Sequence, residues 1–446
     1  MRFFASTFFA LTTLALAAQP KQNSPYSQFG IGDPVSQYFA HHAGMGALTT
    51  ANNDAYHLNI QNPASYAFLR ATALETGLYA KFSEYKSSTA QLSTWSGNLN
   101  YFALGMTLKS PINEVLDRKK SPWQFGAALA LTPYSLVGYN ISTTETQTNL
   151  GLVTNAFEGR GGTYRLLWGG AAKYKQTAIG LNMGWMFGKA IYENTTTFRD
   201  STQATTLSFQ NNFRDEVSVN GLTWNLGAQH NFVLKYDPND KSLPVKWLTA
   251  GLTFEGKHPL AGSFNTIRIR SRGRNSSGSY SSPDTLLYQP DRDVDVTLPG
   301  TISLALMYVK ANKLKIGAQF TRENWSDYVN EARPENLRST SAISAGVEII
   351  PNATSYNRYS KRIRYRVGGY FRQDPRVVQG KNVDDLGLTF GFGFPVILPR
   401  QGTSFVNTAF ELGRIGGGTA IEETYFKCTV GFTLNDNSWF YKRRFE

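Results

Sequence analysis

From residue 71 onward the chain alternates apolar with small or polar residues at a period of two, which is the period of strands and not of helices. Between 177 and 188 the odd positions are Ile179, Leu181, Met183, Trp185 and Phe187. The even positions are Ala178, Gly180, Asn182, Gly184 and Gly188, with Met186 the exception. Leu386, Leu388, Phe390, Phe392 and Phe394 repeat the pattern around Gly387, Thr389, Gly391 and Gly393. So do Phe426, Cys428, Val430, Phe432 and Leu434 around Lys427, Thr429, Gly431 and Thr433. Segments of this kind predict strands near 71–85, 91–108, 122–140, 157–173, 177–193, 214–236, 246–258, 297–310, 313–327, 338–350, 363–374, 385–397, 403–413 and 422–434. That is about fourteen, an even number as bacterial single-chain barrels require.

A sandwich in water would carry charge on the face opposite its core, whereas here that face is rich in Gly, Ala, Ser and Thr. An all-β, antiparallel, membrane-spanning barrel fits better, with its greasy face toward lipid and its small-residue face toward a lumen that something else fills. If residue 71 starts on the periplasmic side, the turns 174–176, 310–313 and 398–402 fall there and are short, while 109–121 is rather long for that side. The gaps 194–213 and 259–296 fall on the opposite side and are long and polar, the second carrying Arg268, Arg270, Arg272 and Arg274.

Composition supports the same class: 446 residues with 29 Phe, 23 Tyr and 40 Gly but only 17% charged. Arg2, the apolar run Phe3 to Leu16 and the small residues Ala15-Leu16-Ala17 read as a signal peptide over 1–18, too short to span a bilayer as a helix. The chain is then exported to the outer membrane of a gram-negative cell. There its net charge of +13 points to lipopolysaccharide, other outer-membrane lipid and acidic substrates, not to nucleic acid. The single Cys428 excludes an internal disulfide and every CxxC site.

The sequence carries few chemical signatures. There is no G-x-S-x-G, H-E-x-x-H or phosphate-binding loop, so no enzyme and no cofactor are expected. His41 and His42 are adjacent, but His57, His230 and His258 lie on separate segments, so no metal site is predicted. Alternation turns Arg364, Arg366 and Arg372 into the lumen on the eleventh strand and Lys315 on the ninth. These cations suit either the head group of an anionic ligand or internal pairing, since an antiparallel turn at 351–362 brings Glu348 near Arg364 and carboxylates such as Asp54 could pair with others.

Residues 43–69, AGMGALTTANNDAYHLNIQNPASYAFL, resemble the hatch of FadL-type outer-membrane transporters. The matching elements are Gly44-Met45-Gly46, Asn52-Asn53-Asp54 and Asn62-Pro63-Ala64, in that order before the first strand. The resemblance implies a fourteen-stranded barrel (71–434) whose lumen is plugged by residues 19–70, with long third and fourth outer loops. The opening NSPYSQFGIGDP and the basic tail over 435–446 look more like the branch that includes PorV-like, secretion-associated barrels. It also implies a lateral opening at the third strand, WQFGAALALTPYSLVGYN, where Pro133 breaks the ladder near Gly138. Asn62-Pro63-Ala64 is expected to be the hinge between plug and barrel. Two functions follow: passage of hydrophobic or amphipathic small molecules through the wall, or an accessory role beside other outer-membrane or periplasmic proteins in an assembly or secretion complex.

Overall fold

In the computed structural model the described residues are 24–436 apart from 31, 89, 110–120, 148–150, 200–209, 241–242, 272–282, 379 and 398–401. The expected signal peptide, the tail from 437 and Arg272 and Arg274 lie outside them. The wall strands are β1 (Thr72–Ser87), β2 (Gln91–Thr107), β3 (Trp123–Gln147), β4 (Gly151–Tyr174), β5 (Thr177–Arg199) and β6 (Gln210–Tyr236). They continue with β7 (Pro244–Glu255, prolonged as His258–Ser271) and β8 (Asp284–Leu298, continuing as Thr301–Lys310). The circuit is completed by β9 (Leu314–Glu323), β10 (Thr340–Ile349), β11 (Arg364–Val378), β12 (Lys381–Ile397), β13 (Thr403–Ile415) and β14 (Ile421–Asp436). Each pairs antiparallel with its neighbour, and β14 closes on β1 from Asp436↔Thr72 to Ile421↔Ser87. The result is a closed all-β barrel of fourteen strands.

The greasy register faces out. Ile179, Leu181, Met183, Trp185 and Phe187 are all exposed, as are Leu386, Leu388, Phe390, Phe426, Phe432 and Leu434. In water this would be an untenable patch; in a bilayer it is the surface that lipid covers.

Two expectations need correction. The polar gaps at 194–213 and 259–296 are not wholly loops. β5 runs to Arg199, β6 begins at Gln210, and 258–271 and 284–298 form a hairpin prolonging β7 and β8. Beyond the bilayer the outer face no longer has to be apolar, so the hydropathy signal fades while the hydrogen-bond ladder continues. Nor is the lumen small-sided throughout. Met186, the exception in its alternation, is buried and packs inside the barrel with Tyr192, Val217, Leu260, Val296 and Leu298. There the wall fills its own lumen.

Elsewhere the small residues have a specific cause. The plug's backbone lies directly against the wall, and inward glycines on successive strands make room for it. A methyl group at Gly227 would stand 2.0 Å from Asn62 Oδ1, one at Gly251 would stand 2.1 Å from Thr50 O, and one at Gly180 would stand 2.5 Å from the carbonyl carbon of Pro63. On the opposite wall, Gly346 and Gly368 meet Met45 and Gly46 at 2.4 Å. Apolar plug residues complete the fill: Phe39 stacks on Tyr101 of β2 at 3.9 Å, beside Leu58, Ile60 and Tyr66.

Overpacking at such a contact costs about 1–3 kcal/mol when neighbours can shift, and more against backbone. Gly251→Val is therefore expected to abolish the compact, heat-modifiable form of the barrel on a denaturing gel. Gly170→Ala, whose new methyl would find its nearest atom 3.9 Å away, should leave that form intact.

Candidate functional site

Asn62 begins the short helical turn Pro63–Phe68. Its backbone is extended, as the following proline favours, and its side-chain oxygen accepts from Ala64 N at 3.1 Å. Asn62 Nδ2 donates to Thr50 O at 2.6 Å, and the residue is fully buried. The Asn-Pro-Ala element is thus a peg set between β5 and β6, and not a free hinge. Wall amides hold the plug around it: Asn182 Nδ2 donates to Ile60 O at 2.9 Å, and Gln319 Oε1 accepts from Thr49 N and Thr50 N at 2.9 and 3.0 Å. Gly44-Met45-Gly46 forms a second peg at β10–β12, where Gly46 N donates to Thr389 Oγ1 at 2.9 Å.

Asp54 lies at the centre of an ion-pair network that joins plug to wall. Its Oδ2 accepts from Lys315 Nζ and from Arg364 Nη1, both at 2.8 Å. Glu348 accepts from Arg366 Nε at 2.7 Å, with Lys315 and Arg364 at 3.7 and 3.8 Å. Arg366 also donates to Asn407 Oδ1 at 2.9 Å, and Asn407 Nδ2 lies 3.1 Å from His57 Nε2. All the lumenal cations proposed from alternation are brought together here, except Arg372. That residue stacks on Tyr370 at 3.6 Å and donates to Tyr38 at 3.0 Å, higher in the lumen. The Glu348–Arg364 proximity anticipated from the 351–362 turn is present, although the direct ladder partner of Glu348 is Arg366.

The plug's own ionisable groups respond to burial. Burial pushes the Asp54 carboxyl up, but Arg364, Lys315 and His57 together hold it well below the usual carboxylate range. Desolvation lowers His57 to about 4, and His41 and His42 well below their ordinary value. The three rings pack together at a tilt, His41 against His42 at 3.8 Å and His41 against His57 at 4.6 Å between centroids. Among the described residues no cluster of histidine, cysteine and carboxylate side chains is placed to hold a metal ion.

A second feature is a break in the wall. The β2–β3 ladder runs from Thr107↔Gly126 to Phe102↔Leu131 and stops there, although β2 continues back to Gln91 and β3 on to Gln147. The register of β3 against β4 shifts between Pro133 and Ser135, so the proline sits where the seam opens. The edge of β3 freed in this way is not bare. Asp33–Pro34 pairs with Leu136 and Ser135, Val35 N donates to Tyr134 O at 2.9 Å, and Ser24 N donates to Gly138 O at 2.9 Å. Gln37 Nε2 reaches Pro133 O at 2.6 Å. Residues 24–30 and 32–37 therefore form a strap along the seam, anchored across the lumen by Arg376 of β11 to Asp33 and by Gly30 N to Glu335 of the β9–β10 connection at 2.5 Å. Sequence reading missed this strap; the one local signal was the X-Pro dipeptide Asp33-Pro34, which favours extended backbone.

Between strap and plug lies a cavity of about 390 Å³. Carboxylates of Asp33, Glu255, Glu323, Asp374, Asp385, Glu411 and Glu423 outnumber the cations Lys81, Arg372, Arg376 and Lys427 on its walls. The chamber walls thus mix charged side chains with apolar and aromatic ones, whereas pockets for hydrophobic ligands are predominantly apolar with few polar groups.

Asp54→Asn would leave Lys315 and Arg364 sharing one distant carboxylate, at a cost of about 3–5 kcal/mol. Thermal unfolding in detergent should show the loss, and adding Lys315→Met should recover part of it. His57 is neutral in the fold and charged first in the unfolded chain, so its contribution is complete above pH 6.5 and is lost as pH falls toward 4. That amounts to about 3 kcal/mol. The Asp54 contribution disappears only below about pH 4, where the unfolded carboxyl begins to protonate. The melting temperature is therefore expected to fall between pH 7 and 4, with a smaller fall in His57→Gln.

Comparison with known proteins agrees with this geometry. The fold is similar to the Pseudomonas putida toluene transporter TodX (TM-score 0.55, 16% identity, 92% of this chain and 100% of that one). It is similar to the Ralstonia pickettii toluene transporter TbuX (0.54, 14%, 90% and 98%) and to a Pseudomonas aeruginosa FadL homologue (0.54, 11%, 91% and 99%). At these identities the likeness establishes the fold: a FadL-like barrel of the outer-membrane type. No curated protein matches the sequence. The pattern of the BamG family matches residues 1–446, so the chain belongs to the BamG family.

Proposed function

We propose that this protein is a plugged accessory subunit of an outer-membrane protein complex, a scaffold that does not pass solutes. The observation that carries this reading is the strap: the β3 edge at Pro133–Gly138, where a lateral opening would lie, is already hydrogen-bonded to Ser24–Gln37. Two further facts support it. Arg364 and Arg366, candidates for an acidic head group, are paired with Asp54 and Glu348. Eleven charged side chains stand among the walls of the chamber behind the strap. The PorV-like likeness of the N-terminal segment points the same way, toward a barrel that holds protein partners.

A second reading has its own observation. The missing ladder above Phe102↔Leu131 adjoins the apolar lumenal cluster of Val137, Tyr139, Met186 and Leu260. If the strap withdrew, hydrophobic or amphipathic molecules would have a lateral route past Pro133 and Gly138, as in FadL-type transport.

Tying the strap down separates the two. Pro34 and Ser135 are direct antiparallel partners, within disulfide reach, so Pro34→Cys with Ser135→Cys should cross-link on oxidation. A scaffold is expected to retain its co-purifying proteins and its cellular role when cross-linked. Loss of hydrophobic-solute uptake on oxidation, restored by reductant, would refute the scaffold reading and establish the transport one.

A further inference from the structure

One row of charges on the outer wall has no internal explanation. At the rim where β1 begins and β14 ends, Lys235 of β6 lies directly opposite Lys246 of β7, and Lys246 directly opposite Lys310 of β8. Like charges facing one another across a ladder are destabilising. Among the described residues none of the three has an ion pair or other charged partner. The carboxylates of that rim nearest in sequence, Asp237 and Asp240, sit in the β6–β7 turn and not on the row.

The row faces the bilayer. The next outward row on the same strands is Phe232, Leu248 and Tyr308, aligned as Phe232↔Leu248 and Leu248↔Tyr308. Phe232 is half exposed, and Leu234 and Leu306 nearby are more so. On β7 and β8 the two rows are two residues apart, roughly 7 Å, and on β6 the register shift between Val233 and Lys235 brings Lys235 into the same row, so the three ammonium groups stand at head-group depth just beyond the apolar belt. An even strand number leaves both ends of the barrel on this rim, which in an exported outer-membrane barrel is the periplasmic one. The lipid there is the phospholipid of the inner leaflet.

We propose that Lys235, Lys246 and Lys310 form a site for the phosphate of an anionic phospholipid, whose acyl chains lie on Phe232, Leu234, Leu248, Leu306 and Tyr308. Cross-strand neighbours about 5 Å apart bring three lysine termini within reach of one phosphodiester or of a paired diphosphate head. The lipid anion removes the repulsion that the ladder builds in. The site is independent of whether the barrel scaffolds or transports.

Native mass spectrometry of the detergent-released full-length protein, after addition of phosphatidylglycerol, cardiolipin or phosphatidylethanolamine, tests it. Wild type is expected to retain the two anionic lipids over the zwitterionic one. The triple variant Lys235→Gln, Lys246→Gln, Lys310→Gln should lose about 100-fold of that preference, near fivefold per lysine. The corresponding triple Lys→Arg variant should keep it, and Lys246→Gln alone, at the centre of the row, should lose part. Arg268→Gln with Arg270→Gln, on the opposite rim, should change nothing. Millimolar inorganic phosphate should not compete, because the apolar row contributes to the affinity. Equal retention of anionic lipid by wild type and the Gln triple would overturn the assignment. So would loss of a co-purifying protein from the Gln triple with lipid unchanged, which would make the row a protein contact.

Discussion

The structure depends on backbone meeting backbone across the lumen. A barrel of fourteen strands is too wide for its own side chains to fill at the level of the plug, and polypeptide is the material that fills it. Close packing then demands that the wall offer no Cβ where the plug's carbonyls arrive. The glycines at 180, 227, 251, 346 and 368 meet that demand on strands far apart in sequence. The consequence is mechanical. A plug seated in backbone notches, with Asn62 and Met45 as its two pegs, has no low-cost direction in which to slide.

Charge reinforces the same attachment. Asp54 brings a carboxylate from the plug to Lys315 and Arg364 of the wall, and Glu348 supplies the second anion that Arg366 needs. Buried ion pairs of this kind add little net stability compared with an apolar core, but separating them is expensive because each charge would be stranded in a poorly solvated lumen. They specify where the plug sits more than how strongly the barrel folds. The neutral histidines packed beside Asp54 follow the same rule of burial: desolvation keeps them uncharged, so they add no repulsion to a site already rich in cations.

The β2–β3 seam shows the opposite tendency. In hydrocarbon, backbone groups must be hydrogen-bonded within the protein, yet Pro133 and the register shift beside it interrupt the ladder. The strap answers that constraint locally by pairing with β3 from the lumenal side. Without the strap the backbone of β3 beyond Leu131 would lack partners on that side. With the strap in place, the β3 edge beside the break is hydrogen-bonded again from Pro133 to Gly138.

Much of this was legible along the chain. The two-residue alternation determined the barrel, its fourteen strands and the outward face, because lipid outside and small residues inside leave a local periodic signature. The same alternation turned Arg364, Arg366 and Lys315 inward, and in the structure their side chains meet Asp54 and Glu348. What alternation lacked was their partner in three dimensions: Asp54 lies 261 residues from Lys315 in sequence, and no period links them. Extended strands beyond the membrane were hidden because polar ladders carry no hydropathy contrast. The strap was hidden for a related reason. Its bonds run largely from backbone to the edge of β3, so almost any sequence that need not donate an N–H at position 34 could make them. Sequence by itself determined the container, since its two solvents are written into every second residue. Tertiary structure alone decided how plug and strap are seated in it, because that depends on contacts between distant segments whose residue types are individually unremarkable.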